Sequence, residues 1–191
     1  YWISLLFIIQ VGIVYVLASL AKFYPDWLDG TFTKNLLSGT TSRPFFLELF
    51  SQKWFYLFIA YAGILFDLLI VPFLLFKKTR TLALIASVIF HIFNSITLQI
   101  GIFPFFALTF ALFFYEPETI RRLFLRKKPK LEDENLSQNL YGKRIVYFLM
   151  IPYLIIQIAL PLRHHFIEGD VLWTEEGHRL SWRMMLRERN G

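Results

Sequence analysis

The sequence predicts an all-α fold, a polytopic bundle of about five transmembrane helices followed by an extracytoplasmic carboxy-terminal tail. Hydrophobic residues make up 56% of its 191 residues and charged residues only 18%, a balance that is rare in soluble domains. Several apolar runs approach the roughly 20 residues that cross a bilayer as a helix. The net charge of +6 gathers in a few loops, which favours membrane topology over nucleic-acid binding. The sequence contains no cysteine, which excludes disulfides, thiolate zinc sites and cysteine nucleophiles.

The first half of the chain contains two predicted spans. The first covers about residues 1–22 and ends before FYPDWLDG, whose proline, aspartates and glycine favour leaving a helix. Residues 28–43 are polar and loop-like, and the short apolar run PFFLELF at 44–50 suits the membrane interface. The second span covers about 54–76, with Trp54 at its start and the basic run KKTR after it. Aromatic residues at one end and lysines at the other fit the two surfaces of a bilayer.

The second half contains a long apolar stretch that is too long for one span. Residues 81–115 would form a helix of about 52 Å, well over the roughly 30 Å of hydrocarbon. We therefore predict two spans at about 81–98 and 104–116, the second beginning with a proline in its first turn. A last span is predicted at about 144–162. The predicted domains are a transmembrane domain at 1–162 and an extracytoplasmic tail at 163–191. The chain begins inside an apolar run without Met, so we interpret it as a portion of a longer protein whose next domain starts with this tail.

The distribution of basic residues predicts the orientation. Residues 77–80 hold three basic charges in four positions, and residues 121–130 hold six in ten. In contrast, residues 22–53 hold four in 32, and residues 163–191 hold five in 29. Because densely basic loops stay in the cytoplasm, Lys22 and the tail are both expected on the extracytoplasmic face.

Lys22 closes the first apolar run. An ammonium group at the end of a spanning helix must reach water, find a partner or lose its proton. One interpretation is an anchor whose side chain extends to the membrane surface. The other is a lysine that has lost its proton and acts as a general base. Tyr15, Ser19 and Lys22 follow one another at spacings of four and three residues, so their side chains share one helix face.

Other polar residues lie within the second and third spans. Asp67 is near the middle of the second, and since buried charges are normally paired, we favour an interhelical hydrogen bond or a buried cation as its partner over a catalytic role. His91 and Asn94 are three residues apart on the third span, where helix contact and a functional site are equally good interpretations. No metal site is predicted, because no second histidine or carboxylate stands at ligand spacing on a span.

The tail is rich in polar and aromatic residues. It contains adjacent histidines, four acids and three arginines interleaved with two tryptophans in PLRHHFIEGDVLWTEEGHRLSWRMM. Tryptophan and arginine favour lipid headgroups, which indicates an amphipathic strap at the interface. The same segment is polar enough to line a site, so both interpretations stay open.

Three segments carry a resemblance that extends over nearly the whole chain, namely ASLAKFYPDW, HIFNSITLQIGIFPF and LPLRHHFIEGDVLWTEEGHRLSWRMM. Together they resemble the vitamin K-dependent gamma-glutamyl carboxylase family, and above all its bacterial members within the wider group of horizontally transferred transmembrane domains. The resemblance implies an enzyme that couples epoxidation of vitamin K hydroquinone, a reduced naphthoquinone, to gamma-carboxylation of peptide glutamate. It implies O2 and CO2 as co-substrates, no metal, and a glutamate-containing peptide or protein and the lipid bilayer as partners.

The resemblance also implies roles for individual residues. Lys22 matches the family's catalytic lysine, a neutral amine that starts the oxygenation of the quinol. Cofactor binding is assigned to His91 and Asn94, which match an HxxN pattern of the family. It is also assigned to Tyr15 and Ser19, because they share the helix face of Lys22. Substrate binding is assigned to Arg163, His164, Trp173, Thr174 and Glu175, where an arginine can pair with a carboxylate through two hydrogen bonds. The expected location is the bacterial inner membrane, with the active site on the extracytoplasmic side.

Two alternatives belong to other functional classes. One is a non-enzymatic polytopic protein, such as a transporter or an assembly subunit, and the other is a quinone-handling protein that lacks the carboxylation step. Transporters typically show internal repeats and polar groups near the membrane midplane. This sequence shows no repeat, and its polar groups gather toward one face, which favours an active site near the membrane surface.

Overall fold

The computed structural model describes residues 2–39, 44–98, 102–127, 144, 146–169, 174 and 176–183. Within these ranges the backbone forms helices and turns and contains no strand. The predicted all-α fold class is confirmed, and several helices are long and apolar enough to cross a membrane. The protein is therefore an integral membrane protein built as a helix bundle.

The first part of the bundle consists of two long helices with three short helices between them. In chain order these are α1 (Trp2–Leu20), α2 (Pro25–Leu28), α3 (Thr31–Ser38), α4 (Pro44–Ser51) and α5 (Lys53–Leu75). Helix α2 begins with a proline, whose missing N–H costs little at that position. The short helices form where the sequence becomes polar after the first apolar run, and they return the chain to the start of α5.

The second part contains α6 (Arg80–Leu98), α7 (Phe103–Phe110), α8 (Pro117–Phe124) and α9 (Ile151–Leu162). A 3₁₀ turn, Ala111–Phe114, prolongs α7. A π-helical turn, Val146–Met150, precedes α9, and a 3₁₀ turn, Arg163–Phe166, follows it. As expected of a proline that starts a helix, Pro104 lies in the first turn of α7.

Four helical segments of the described chain are long and apolar enough to span a bilayer. They are Trp2–Leu20, Lys53–Leu75, Arg80–Thr97 and Val146–Phe166. The segment Phe103–Phe114 is apolar but shorter. It corresponds to the span expected at about 104–116, and at 1.5 Å per residue it reaches about 18 Å, less than the roughly 30 Å of the hydrocarbon core.

The centre of the bundle is the antiparallel pair of α1 and α5. Gly12 of α1 lies against Val71, and Trp27, just after α1, donates its Nε1 hydrogen to the carbonyl oxygen of Ala60 at 3.0 Å. Small side chains such as Ala60, which is 1% exposed, let the two helices approach closely. Large apolar side chains on the outer faces are exposed, as a bilayer requires.

The bundle has two ends with different chemistry. At the end that we call the Lys77 end, Lys77 forms an ion pair with Glu116, and Arg80 donates to the carbonyl oxygen of Leu74 at 2.9 Å. The hydrogen bond and charge of Lys77 lower the pKa of the Glu116 carboxyl below its ordinary value. The opposite end, which carries the loop after α1 and the start of α5, is the Trp27 end.

Helix α9 is attached to α1 through amide side chains. Gln10 donates its Nε2 hydrogen to Oε1 of Gln157 at 3.1 Å, and the Tyr153 hydroxyl donates to Oε1 of Gln10 at 3.3 Å. Within a membrane such bonds stabilise helix contacts, because lipid offers polar groups no partners. They fix α9 against the middle of α1.

Gly30 is the turn between α2 and α3, and it is expected to tolerate no side chain. Its φ is 81°, and an added Cβ would lie 2.5 Å from the ring of Tyr56. We expect Gly30→Ala to lower the free energy of unfolding by more than about 1 kcal/mol, from left-handed backbone strain alone, with the ring contact adding to the loss. Thermal unfolding in detergent measures this. Gly63→Ala is the matched control, since its Cβ would meet Trp27 at an ordinary 3.6 Å; equal destabilisation of both variants would contradict the assignment.

Candidate functional site

Lys22 directs its side chain into the bundle. It follows the last turn of α1, where its backbone N–H bonds to the carbonyl oxygen of Ser19 at 3.0 Å. Helical side chains lean toward the amino terminus, so the long Lys22 side chain reaches back along α1. Nζ binds the carboxylate of Asp67, donates to the carbonyl oxygen of Ala18 at 3.3 Å and lies 5.4 Å from the centre of the Trp27 ring. The residue is 7% exposed.

Asp67 on α5 is the partner of this ammonium group, and it is 6% exposed. A buried charge without a partner is strongly unfavourable, whereas a paired and hydrogen-bonded one is tolerated. The sequence favoured a buried cation or an interhelical bond for Asp67, without naming the residue. The usable signal was that one apolar run ends in a lysine and the next contains a central aspartate.

A second polar pair lies beside the first. The Tyr15 hydroxyl and Nε2 of His91 are hydrogen-bonded at 3.0 Å, which joins α1 to α6. His91 is 4% exposed, and its Nδ1 atom has no hydrogen-bond partner among the described residues. If Tyr15 donates, Nδ1 carries the proton and can donate; if Tyr15 accepts, Nδ1 can accept.

Two phenylalanine rings, Phe66 and Phe90, pack against this pair. Phe66, the neighbour of Asp67, stacks on Phe90 with ring centres 3.8 Å apart. The Phe66 ring also lies edge-on to the rings of Tyr15 and His91, with ring centres 6.1 Å and 5.8 Å away. Phe66, the chain neighbour of Asp67, therefore packs against both members of the Tyr15–His91 pair.

Ser19 and Asn94 differ in what they contact. Ser19 is fully buried and donates its hydroxyl hydrogen to the carbonyl oxygen of Ile64 at 3.2 Å, so its visible contact joins α1 to α5. Asn94 is half-buried one turn after His91, and none of the described hydrogen bonds involves it. The structure thus joins Tyr15 to His91 and Lys22 to Asp67, and leaves Asn94 outside both pairs.

The tail folds back against the end of α9. Arg163 donates to the carbonyl oxygen of Arg179 at 2.7 Å. His164 donates from Nδ1 to the carbonyl oxygen of Pro161 at 2.7 Å, and its Nε2 accepts a bond from Arg183 at 3.0 Å. Gly177 permits the close return, since a Cβ there would lie 2.9 Å from the Cβ atom of His164.

The remaining predicted substrate residues lie in the middle of this tail. Thr174 is exposed, and its hydroxyl accepts a bond from the backbone N–H of Glu176 at 3.3 Å. Trp173 and Glu175 lie outside the described residues. Their assigned roles therefore stay predictions.

Tyr24 shows that the tail returns to the same end as Lys22. Burial of its phenol, together with the nearby Asp26 carboxylate, raises its pKa to about 12, and the guanidinium of Arg183 acts on this pKa in the opposite direction. Arg183 is thus close enough to interact electrostatically with the residue that begins the turn after α1. The tail and Lys22 share the Trp27 end.

Two family models match the chain. The HTTM domain matches residues 1–118, and the lumenal domain of vitamin K-dependent gamma-carboxylase matches residues 142–191. The chain belongs to the vitamin K-dependent gamma-carboxylase family. The resemblance carried by the three sequence segments is confirmed. No solved structure matches the chain closely enough for comparison.

The two matches cover different parts of the chain and contain different candidate site residues. The HTTM match includes α1, α5 and α6, and with them the pairs Lys22–Asp67 and Tyr15–His91. The lumenal-domain match includes α9 and the tail with Arg163 and His164. The two polar pairs therefore lie within the HTTM match, and Arg163 and His164 lie within the lumenal-domain match.

Proposed function

We propose that this protein is a membrane-embedded enzyme that couples epoxidation of vitamin K hydroquinone to gamma-carboxylation of peptide glutamate. The observation that carries the proposal is the position of Lys22, whose ammonium group binds a buried carboxylate next to the Tyr15–His91 pair. An anchoring lysine extends toward the headgroups. This side chain turns into the bundle instead, at the end where the tail returns.

Lys22 would be the general base. In its unprotonated form the amine takes a hydroxyl proton from the hydroquinone, and a correctly placed base of this kind accelerates proton transfer by about 10²–10⁴-fold. When bound, the hydroquinone supplies the reducing chemistry: its oxidation by O2 to the epoxide drives removal of the glutamate γ-proton, and CO2 adds to the carbon. The surrounding apolar residues exclude water, which otherwise returns a proton to that carbon.

A naphthoquinone would bind beside the Tyr15–His91 pair. Supporting this are the aromatic side chains of Phe66, Phe90 and Tyr15, which are neighbours suited to a fused ring system. Nδ1 of His91 is a buried polar atom that can form a hydrogen bond with an oxygen substituent of the quinone. Asn94, with its donor and its acceptor, would serve the same ligand from the next turn of α6. Ser19 would support the site by fixing α1 against α5.

The tail would receive the glutamate side chain. Arg163 uses one described hydrogen bond to hold the tail, and a guanidinium group has further donors for a carboxylate. His164 is fixed between Pro161 and Arg183, which gives the tail a defined position beside the bundle. Trp173, Thr174 and Glu175 would complete the approach of the peptide.

The proposed location is the bacterial inner membrane, with the Trp27 end on the extracytoplasmic side. The densely basic segments support this orientation, because Lys77, Arg80 and the arginines of α8 lie at or follow the opposite end of the bundle. A peptide exported across the membrane would then meet the site at the tail.

The test uses the full protein in nanodiscs with vitamin K hydroquinone, labelled bicarbonate and a glutamate-containing peptide. We expect epoxide and peptide-bound label to form together and to depend on the reduced form of the quinone. The control replaces hydroquinone with the oxidised quinone, which is expected to give neither product. Epoxide without label would favour the quinone-handling alternative, and absence of both products would contradict the proposed enzyme.

A further inference from the structure

Lys22 and Asp67 form a closed pair within the bundle. Nζ of Lys22 contacts Oδ2 of Asp67, and the two residues are 7% and 6% exposed. Asp67 is the acidic side chain that the described structure places against this ammonium group. A protonated lysine cannot accept a proton, so a base at this position needs an acceptor for its own proton. The carboxylate is in direct contact and is chemically able to take it.

We propose that Asp67 is a positioning residue that keeps Lys22 competent as a base by holding its proton, an inference that rests on the proposed function. In this step the N–H bond of Nζ that points at Asp67 breaks, and an O–H bond forms at Oδ2. The ion pair becomes a neutral amine hydrogen-bonded to a neutral carboxylic acid. No atom enters or leaves the pair, and its total charge is zero before and after the transfer.

Burial makes this transfer accessible. In water each charge is solvated, which strongly favours the ion pair. Inside the bundle both charges lose most of their hydration, so the ion pair is penalised while the neutral pair is not. Both forms keep one hydrogen bond between Nζ and Oδ2. The free-energy gap between the two forms is therefore smaller here than on the protein surface.

Among the described groups around Nζ of Lys22, Asp67 is the one placed to accept its proton. The Trp27 ring and the carbonyl oxygen of Ala18 face Nζ, and neither can take a proton at neutral pH. Two further titratable side chains face this region, Tyr15, which interacts electrostatically with Asp67, and His91, to which Tyr15 is hydrogen-bonded. The Tyr15–His91 bond engages these two groups with each other, and Asp67 alone of the three contacts the ammonium.

The test compares hydroquinone oxygenation by wild type and Asp67→Asn over a range of pH. Asparagine keeps the shape and can accept a hydrogen bond, but it cannot take the proton. We expect the variant to be at least about tenfold slower at neutral pH, because its amine must release the proton to solvent. The deficit is expected to shrink as the pH rises, by up to about tenfold per pH unit. Dividing by the wild-type rate removes titrations that both proteins share, including that of the hydroquinone.

Two variants serve as controls. Asp67→Glu restores a proton acceptor, so its rate relative to wild type is expected to be independent of pH even where the longer side chain slows it. Gln10→Leu breaks the contact between α1 and α9 without touching the pair, and any deficit it causes is also expected to be independent of pH. A constant Asp67→Asn deficit at every pH, or no deficit, would overturn the proposal.

Infrared spectroscopy of the wild-type protein gives a measurement that does not depend on the folding of Asp67→Asn. We expect a carbonyl band of a protonated carboxylic acid that shifts in Asp67→Glu. A carboxylate at position 67 that stays ionised at every pH of turnover would overturn the proposal. The outcomes also separate the two proposals: a wild-type protein without hydroquinone-dependent activity contradicts the enzyme, whereas an active wild type with a pH-independent Asp67→Asn deficit contradicts only the role of Asp67.

Discussion

Replacing Lys22 with alanine is expected to abolish both epoxidation and carboxylation, a loss of at least about 100-fold in each rate. Both reactions would stop together because the first proton transfer precedes them both. Binding of the hydroquinone is expected to persist, since Tyr15 and His91 keep their own hydrogen bond. The measurement is the two-product assay in nanodiscs, with quinone binding determined separately. A small exogenous amine is expected to restore part of the activity of Lys22→Ala, because it supplies both a proton acceptor and a counter-charge for Asp67.

Lys22→Arg separates basicity from charge pairing. A guanidinium group can bond the Asp67 carboxylate through two N–H groups, so this variant keeps a buried ion pair. It cannot act as a base, because it stays protonated at any usable pH. We therefore expect a folded and inactive protein. Full activity in Lys22→Arg would remove the catalytic assignment and leave Lys22 as a structural cation.

Removing one member of the buried pair is expected to reduce stability strongly. Lys22→Met leaves Asp67 buried without its counter-charge, and breaking a buried ion pair in this way costs on the order of 3–5 kcal/mol. The double variant Lys22→Met with Asp67→Leu removes both charges, and since apolar replacements of a buried pair are often neutral, it is expected to recover most of the loss. Unfolding in one detergent, measured for wild type, both single variants and the double variant, gives the coupling between the two positions.

The ion pair at the Lys77 end provides the matched control. Lys77 and Glu116 also form a contact between a lysine and a carboxylate, but their side chains are 76% and 57% exposed. Water screens such a pair, so Lys77→Met is expected to leave the unfolding midpoint unchanged. Equal losses in Lys22→Met and Lys77→Met, or single-variant losses that simply add in the double variant, would show that burial of the Lys22–Asp67 pair contributes nothing.

The fold class could be predicted because it depends on local properties of the chain. The sequence of a segment alone shows whether it is apolar over 18 or more residues. Such a segment can cross a membrane as a helix, because a helix satisfies its own backbone hydrogen bonds. The same local logic placed Pro104 in a first turn and put Tyr15 and Lys22 on one face of α1. The segment expected at about 104–116 corresponds to Phe103–Phe114, which ends in the 3₁₀ turn Ala111–Phe114.

The sequence indicated which residues to examine as a candidate site, but not which of them contact one another. Lys22, Tyr15 and His91 were selected as polar groups in apolar surroundings. The bond between Tyr15 and His91 joins residues 76 positions apart, and helical periodicity does not specify which helix will face which. For Asp67 the sequence predicted an interhelical hydrogen bond or a buried cation but not which residue provides it. Lys22 was not an obvious choice, because Asp67 lies at the centre of one span while Lys22 ends another. The backward lean of the lysine side chain removes this difference in depth.

By itself, the sequence determined that this protein is a helical membrane protein, that it resembles the vitamin K-dependent gamma-carboxylase family, and that Lys22 is the charged residue most in need of an explanation. These conclusions rest on composition, run length and short motifs, which do not require the chain to be folded. Only the tertiary structure decided that Lys22 binds Asp67, that Ser19 contacts the backbone of α5 and that the tail returns to the Trp27 end. Such contacts depend on the rotation and depth of each helix against its neighbours, and these are set by packing among residues that lie far apart in the chain.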